Sequence, residues 1–218
     1  MTTDTAHEHW NTEWAAADGT SKWERAEPEV VAFAQTLPKG ARVLDLGAGV
    51  GRHALAYARM GFDVAALDAA PEGIAEIDRV AAAEGLKVET VLGKMTELPF
   101  PDASFDHVLS WNVIYHGDAD VVTRTIAEIA RVLRPGGSFQ GTMLSRRRIA
   151  VELERAPGRE ISAGTWVFEG GGDKRHPHFF CTGRELTGLF DGFEIWRLED
   201  REHEKPGSWH WHLTLERL

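Results

Sequence analysis

The chain has 218 residues, 43% hydrophobic and 27% charged, with a formal net charge of −10 and one cysteine. Such proportions fit one globular domain and exclude a disordered, collagen-like or coiled-coil chain. No apolar run approaches the ~20 residues that cross a bilayer, an acidic surface repels phosphate backbones, and Cys181 alone can form neither an internal disulfide nor a cysteine cluster.

Residues 1–36 read as helical and carry Trp10, Trp14 and Trp23. Their polar, acidic start lacks the basic and apolar regions of a secretory signal, so a cytoplasmic setting is expected. Trp10 and Trp14, four apart, share a helical face and read as core packing, while Trp23 is placed to close a pocket from above. His7 and His9 read as plain polar residues.

Residues 42–46 are a short apolar strand ending in a glycine-rich turn. Residues 54–60 are helical up to Gly61, and 62–67 are a second strand ending at Asp68. Pro71 then opens a helix that Gly85 closes, with Ile74 and Ile77 on one face. Residues 87–92 and 105–110 are the third and fourth strands. Asp118 or Asp120 caps a helix whose Val122, Ile126, Ile129, Ala130 and Leu133 recur at helical spacing. Arg134-Pro135-Gly136-Gly137 turns the chain into a strand over 138–144. Residues 145–181 read as irregular, with the basic patch Arg146-Arg147-Arg148 taken as a solvated loop or an anion contact. Residues 193–198 and 210–215 alternate in period two around Pro206-Gly207, a terminal hairpin with His210 and His212 solvated on one face.

Strands alternating with helices form a parallel sheet covered on both faces. Ligands of such sheets sit beyond the carboxyl ends of the strands, where the N-terminal segment and residues 145–181 are placed to fold over as lids.

The most informative stretch is Val43-Leu44-Asp45-Leu46-Gly47-Ala48-Gly49-Val50-Gly51-Arg52. Its glycines let the backbone turn sharply and approach a ligand with no Cβ in the way. A dinucleotide fingerprint places its third glycine at position 52, which is arginine here, so the pyrophosphate reading fails on spacing. A carboxylate at Asp45 repels a pyrophosphate and suits an ammonium group, directly or through water. Asp68, ending the second strand, suits the two hydroxyls of a ribose. Amine, ribose and no phosphate together describe S-adenosylmethionine.

At these residues the sequence resembles the class I S-adenosylmethionine-dependent methyltransferases. The runs 43–51, 64–68, 98–106 (Leu-Pro-Phe-Pro-Asp-Ala-Ser-Phe-Asp) and 133–137 come in the family's order and spacing over roughly residues 40–145. The third run resembles the small-molecule branch, such as quinone-pathway and tellurite-resistance-type enzymes. The resemblance implies an α/β, Rossmann-like, doubly wound and mostly parallel sheet with a C-terminal antiparallel hairpin. Residues 1–36 would be a helical lid, 40–145 the cofactor-binding core, 145–181 a substrate-side insertion, and 182–218 the final helix and hairpin of a single domain.

It further implies that Gly47, Ala48, Gly49 and Gly51 shape the methionine side of the pocket. Asp45 would hold the amino group, and Asp68 the ribose hydroxyls with Ala69 beside it. Lys94 and Met95 fall where the family covers the adenine. Lys94 departs from the acid common there and cannot accept the adenine's hydrogen bond, leaving a backbone contact at Met95. Ser110, Trp111 and Asn112 would lie beside the methionine and the methyl group; of the aromatic faces of Trp23, Trp111 and Trp166 that can attract a sulfonium, Trp111 has the best position.

Tyr115 and His116 follow the fourth strand at the pocket mouth. His116 is either a general base near neutral pH or a capping surface histidine. His176 and His178 lack a third ligand at recognisable spacing, so no metal is expected. The expected activity is methyl transfer to a small-molecule acceptor, with S-adenosylhomocysteine as product and neither nucleic acid nor membrane as partner. The competing readings are an S-adenosylmethionine-binding protein without transfer, a nucleic-acid or protein methyltransferase, and a nicotinamide oxidoreductase.

Overall fold

The computed structural model describes residues 3–16, 22–203 and 205–218. The parts of the expected lid at residues 1–2 and 17–21 lie outside the described residues. Around them are α1 (Ala6–Trp14), a 3-10 turn (Lys22–Glu24) and α2 (Pro28–Ala34).

From there the chain alternates as its periodicity requires: β1 (Arg42–Leu46), α3 (Arg52–Arg59), β2 (Asp63–Asp68), α4 (Pro71–Glu84), β3 (Glu89–Leu92), β4 (Phe105–Ser110), α5 (Ala119–Val132) and β5 (Leu133–Ser145). Helix boundaries follow local chemistry. Pro71 opens α4 and Gly85 closes it at φ +67°. The Asp118 carboxylate accepts the Val121 N–H at 3.0 Å and caps α5. Side-chain alternation along the strands sorts the core into two layers. Val43, Val64 and Ala66 pack with α2, α3 and α4, whereas Leu44, Leu46, Ala65 and Leu67 join α5 on the other face.

β5 is longer than the expected 138–144. Leu133 already pairs with Phe105, and the Pro135-Gly136-Gly137 stretch is absorbed as a register shift before His107 meets Ser138. Residues 145–181 are also more regular than expected, forming α6 (Arg148–Arg155), β6 (Gly158–Ser162), β7 (Thr165–Phe168), a 3-10 turn (Asp173–Arg175) and β8 (His178–Cys181). After α7 (Gly183–Leu189), capped reciprocally by Thr182 and Glu185, the hairpin of β9 (Phe193–Glu202) and β10 (Trp209–Arg217) ends the chain.

The main sheet runs β3-β2-β1-β4-β5 in parallel, then adds β10 and β9 antiparallel. Where β4 ends, β8 takes over its edge of β5 through Leu144–Phe180 and Ser145–Cys181. β8 carries β7 and β6 as a small antiparallel sheet over the carboxyl edge. Among the described residues no helix is long and apolar enough to cross a membrane.

Between the layers, His107 is fully buried, with Nε2 3.2 Å from the Tyr57 hydroxyl and Nδ1 2.9 Å from Ser138 Oγ. Burial pushes its pKa from 6.5 to about 3. The unfolded chain takes up this proton below pH 6.5 and the folded chain does not until about 3, so stability falls as pH drops through that window. Thermal melts at pH 7 and pH 5 should show a smaller acid loss for His107→Gln than for the parent chain. Equal losses would remove His107 from the acid response.

Candidate functional site

The turn between β1 and α3 is stitched from below. Gly47 and Ala48 donate their N–H groups to the Leu67 carbonyl at 2.7 and 3.0 Å. Gly49 N–H donates to Asp68 Oδ2 at 2.7 Å, while Asp68 Oδ1 accepts from Ala70 N–H at 2.8 Å. Burial raises the Asp68 pKa against these backbone bonds, which lower it. Gly47 and Gly49 have φ of +75° and +55°. A Cβ on Gly47 would lie 2.3 Å from Val113 Cγ1, and one on Gly49 2.9 Å from the Trp14 ring, so only bare backbone fits.

Above this turn opens a cavity of about 840 Å3. Gly47, Ala48, Gly49, Asp68, Ala69 and Met95 line one part, and Trp111, Asn112, Tyr115 and His116 continue the wall beyond β4. Trp10, Trp14 and Trp23 cover it, Trp10 stacking on Trp14 at 5.0 Å. The tryptophans expected as core packing are thus a roof. α1 is held there by its Asn11 Oδ1, which accepts the Glu72 N–H at 3.0 Å, and by the Thr5 hydroxyl, 2.9 Å from His176 Nδ1. His7, expected as a plain polar residue, also lines the cavity.

Five expected contacts are placed elsewhere. Asp45 is 1% exposed beneath the turn, accepting the Ala54 N–H at 2.9 Å, and does not reach the cavity. Gly51 starts α3 at φ +83° against Ile77, and the fully buried Ser110 donates from Oγ to the Leu46 carbonyl at 3.0 Å. Gly51 thus caps a helix, and Ser110 braces the ends of β4 and β1. Lys94 points outward and pairs with Asp4 at 3.6 Å, tying down the N-terminal segment. Trp166 packs against Phe168 in the small sheet, 6.0 Å between rings, and is not part of the cavity wall.

The remaining wall is a chamber of histidine and arginine that pattern reading missed. His210 and His212, expected to be solvated, are buried because β10 lies between β5 and β9. Arg148 NH1 donates to His210 Nε2 at 3.0 Å, so His210 Nδ1–H donates to the Ser208 carbonyl at 2.8 Å. Arg201 NH2 donates to His212 Nδ1 at 2.9 Å, which leaves His212 Nε2–H to donate to His203 Nε2 at 2.9 Å. His203 stacks on His210 at 3.7 Å, and Trp111 meets His212 edge-on at 5.1 Å. Of the basic patch, Arg148 is buried in this chamber, whereas Arg146 pairs with Glu185 at 2.8 Å and Arg147 lies over Trp209. The signal available in sequence was the alternation His210-Trp211-His212, whose inward face the hairpin order decides.

Charges in the chamber are matched: Arg52 with Glu27 at 3.1 Å, Arg148 with Glu152 at 2.7 Å, and Arg201 with Glu29. Burial lowers His203 to about 3 and His212 to about 4, and lowers His53 and His210 as well. It pushes His116 to about 4 and raises the Tyr115 phenol. His116 is thus neutral at neutral pH, an acceptor of hydrogen bonds and not a base that titrates near pH 7, and Tyr115 stays a donor.

Residues 43–137 match the family described as methyltransferase domain. An uncharacterized methyltransferase of Mycobacterium tuberculosis is 39% identical over 118 residues, covering 53% of this chain and 46% of its own. A demethylmenaquinone methyltransferase of Clavibacter sepedonicus is 42% identical over 100 residues, 45% of this chain and 39% of its own. In these matches the chain spans less than half the length of either relative. In fold, the chain is similar to 1,6-didemethyltoxoflavin-N1-methyltransferase of Burkholderia thailandensis. That crystal structure, with 1,6-didemethyltoxoflavin and S-adenosylhomocysteine bound, has a TM-score of 0.72 and 23% identity, covering 100% of this chain and 91% of that one.

Burial also raises Asp45 from 3.8 to about 7. Its folded pKa exceeds its unfolded one, so the contribution to stability is complete below about 3.8 and is lost as pH rises through about 7. Asp45→Asn keeps an acceptor for Ala54 without the buried charge. Its thermal midpoint should gain on the parent's between pH 5 and pH 8, and a pH-independent difference would refute the buried carboxylate as the cause.

Proposed function

We propose, for a chain whose residues 43–137 belong to the class I S-adenosylmethionine-dependent methyltransferase family, that it moves a methyl group from S-adenosylmethionine to a small-molecule acceptor held in the histidine-lined chamber. The observation that carries this reading is one continuous cavity that joins the bare-backbone turn and Asp68 to Tyr115, His116, His203 and His210.

The residues present fit the cofactor. Positions 47 and 49 admit no Cβ, leaving peptide backbone as the cavity surface. Each oxygen of Asp68 accepts one backbone N–H and keeps a lone pair for a ribose hydroxyl. The indole nitrogens of Trp10, Trp14 and Trp111 are buried without hydrogen-bond partners, polar groups that a ligand can satisfy. Bound there, S-adenosylmethionine supplies a methyl already activated on a sulfonium, leaving S-adenosylhomocysteine.

What remains for the protein is positioning and exclusion of water. Trp111 offers an aromatic face and a buried wall beside the glycine turn. Tyr115 donates a hydrogen bond to the acceptor beside the buried imidazole of His116. The tryptophan roof and the 3-10 turn Asp173–Arg175 border the cavity. A cavity of about 840 Å3 lies within the roughly 300–1,000 Å3 of small-molecule sites, and the net charge of −10 opposes a phosphate polymer. A small acceptor in a cytoplasmic setting is therefore part of the same proposal.

Calorimetric titration with S-adenosylmethionine, S-adenosylhomocysteine and NAD should give micromolar binding of the first two and none of the third. Asp68→Ala removes charge-assisted hydrogen bonds of about 1.5–3 kcal/mol each, so cofactor affinity should fall at least about tenfold. Unchanged affinity would sink the ribose assignment. Transfer of labelled methyl across a panel of small acceptors then tests the reaction, and its absence from every acceptor would favour binding without transfer.

A further inference from the structure

We propose that His116, Asp173 and His178 form a binding site for a divalent transition-metal ion of the zinc class at the acceptor end of the cavity. The backbone sets two of the ligands. Phe179 N–H donates to the Tyr115 carbonyl and Gly117 N–H to the Pro177 carbonyl, both at 2.9 Å, pairing His116 with His178 in an antiparallel bridge. The two imidazole centroids lie 4.7 Å apart. The 3-10 turn Asp173–Arg175 brings in the carboxylate, with Oδ2 3.2 Å from His178 Nε2 and 3.7 Å from His116 Nε2. One ligand atom from each residue lies within 4.8 Å of the others. Ligands about 2.0–2.2 Å from one tetrahedral ion stand about 3.3–3.5 Å apart, so the two carboxylate–imidazole separations of 3.2 and 3.7 Å already suit one ion, and the two imidazoles must close from a separation of at most 4.8 Å.

The proton count points the same way. His178 Nδ1–H donates to the His176 carbonyl at 2.8 Å, and its Nε2 stands 3.2 Å from Asp173 Oδ2. That second contact needs either a proton on Nε2 or a cation shared by the two atoms. His116 is 7% exposed, and its Nε2 is buried without a hydrogen-bond partner and turned toward the same oxygen. A cation among the three atoms satisfies all of them. An imidazole tied through its other nitrogen to a backbone carbonyl is the usual arrangement behind a metal-bound histidine. Lys174 Nζ stands on the far side of the carboxylate, 3.7 Å from Oδ1, and its charge is shared with Glu152 at 3.8 Å. His116 and Asp173 line the cavity, so two imidazoles and one carboxylate would leave positions open toward the acceptor. The consequence for the reaction rests on the methyl-transfer reading: an acceptor O–H or S–H ligating the ion would lose its proton more readily. Metal binding itself does not depend on that reading.

The test uses the full chain, stripped with a chelator and titrated with cobalt(II), then with zinc(II) in competition, with no cofactor present. One equivalent of cobalt(II) should develop the d–d absorption of a low-coordinate site, displaced by zinc(II). Asp173→Asn and His178→Ala should each weaken zinc(II) binding at least about tenfold, whereas His176→Ala, whose ring is not a ligand, should leave it unchanged. Absence of stoichiometric binding overturns the site, and so does binding that survives Asp173→Asn. X-ray absorption of the parent's cobalt(II) form should show two imidazoles with oxygen ligands. Any other ligand set overturns the assignment even if a variant fails to fold. In the overturned case, a proton on His178 shared with Asp173 is the occupant.

Discussion

Much of this structure depends on the Asp68 carboxylate holding the turn above it. One oxygen accepts the Gly49 N–H and the other the Ala70 N–H, binding the end of β2 to the β1–α3 turn and to the start of α4. The Leu67 carbonyl takes two further N–H groups of the same turn. A left-handed glycine backbone is costly to order, and these bonds keep it in one conformation. Asp45 serves the same turn from below by anchoring the first turn of α3. The two acids therefore divide the labour: one is sealed under the backbone, the other half-open to the cavity.

Against that fixed edge, the distinctive part of the molecule is assembled from segments far apart in the chain. α1 roofs the turn, the β6–β8 sheet sits on the end of β4, and the β9–β10 hairpin supplies His203, His210 and His212. Histidines packed this closely remain neutral because burial penalises the charged form and neighbouring Arg148 and Arg201 add to the penalty. Buried Arg148 is in turn matched by Glu152, and the more exposed Arg201 by Glu29. The chamber is thus rich in directed donors and lone pairs without a large net charge.

Period-two and helical spacing placed β1, β2, β4 and α5 closely, because apolar alternation and helix caps are local. Position along a strand end, however, does not say which way a side chain turns. Asp45 and Ser110 both stand at the carboxyl ends of strands, yet one is beneath the turn and the other bonds β4 to β1. Lys94 illustrates the same limit: its surroundings include Asp4, 90 residues earlier in the chain.

By itself the sequence determined the α/β alternation and the glycine turn with Asp68 at its side, with a glycine spacing that departs from the pyrophosphate-binding pattern. Those depend on short-range spacing and on the φ that only glycine adopts cheaply. Tertiary structure alone decided that Trp10 and Trp14 are a roof, that His210 and His212 face inward, and that Asp173 and His116 meet His178. Each of these depends on which strand lies beside which, and strand order is set by packing over long stretches of chain that no local pattern records.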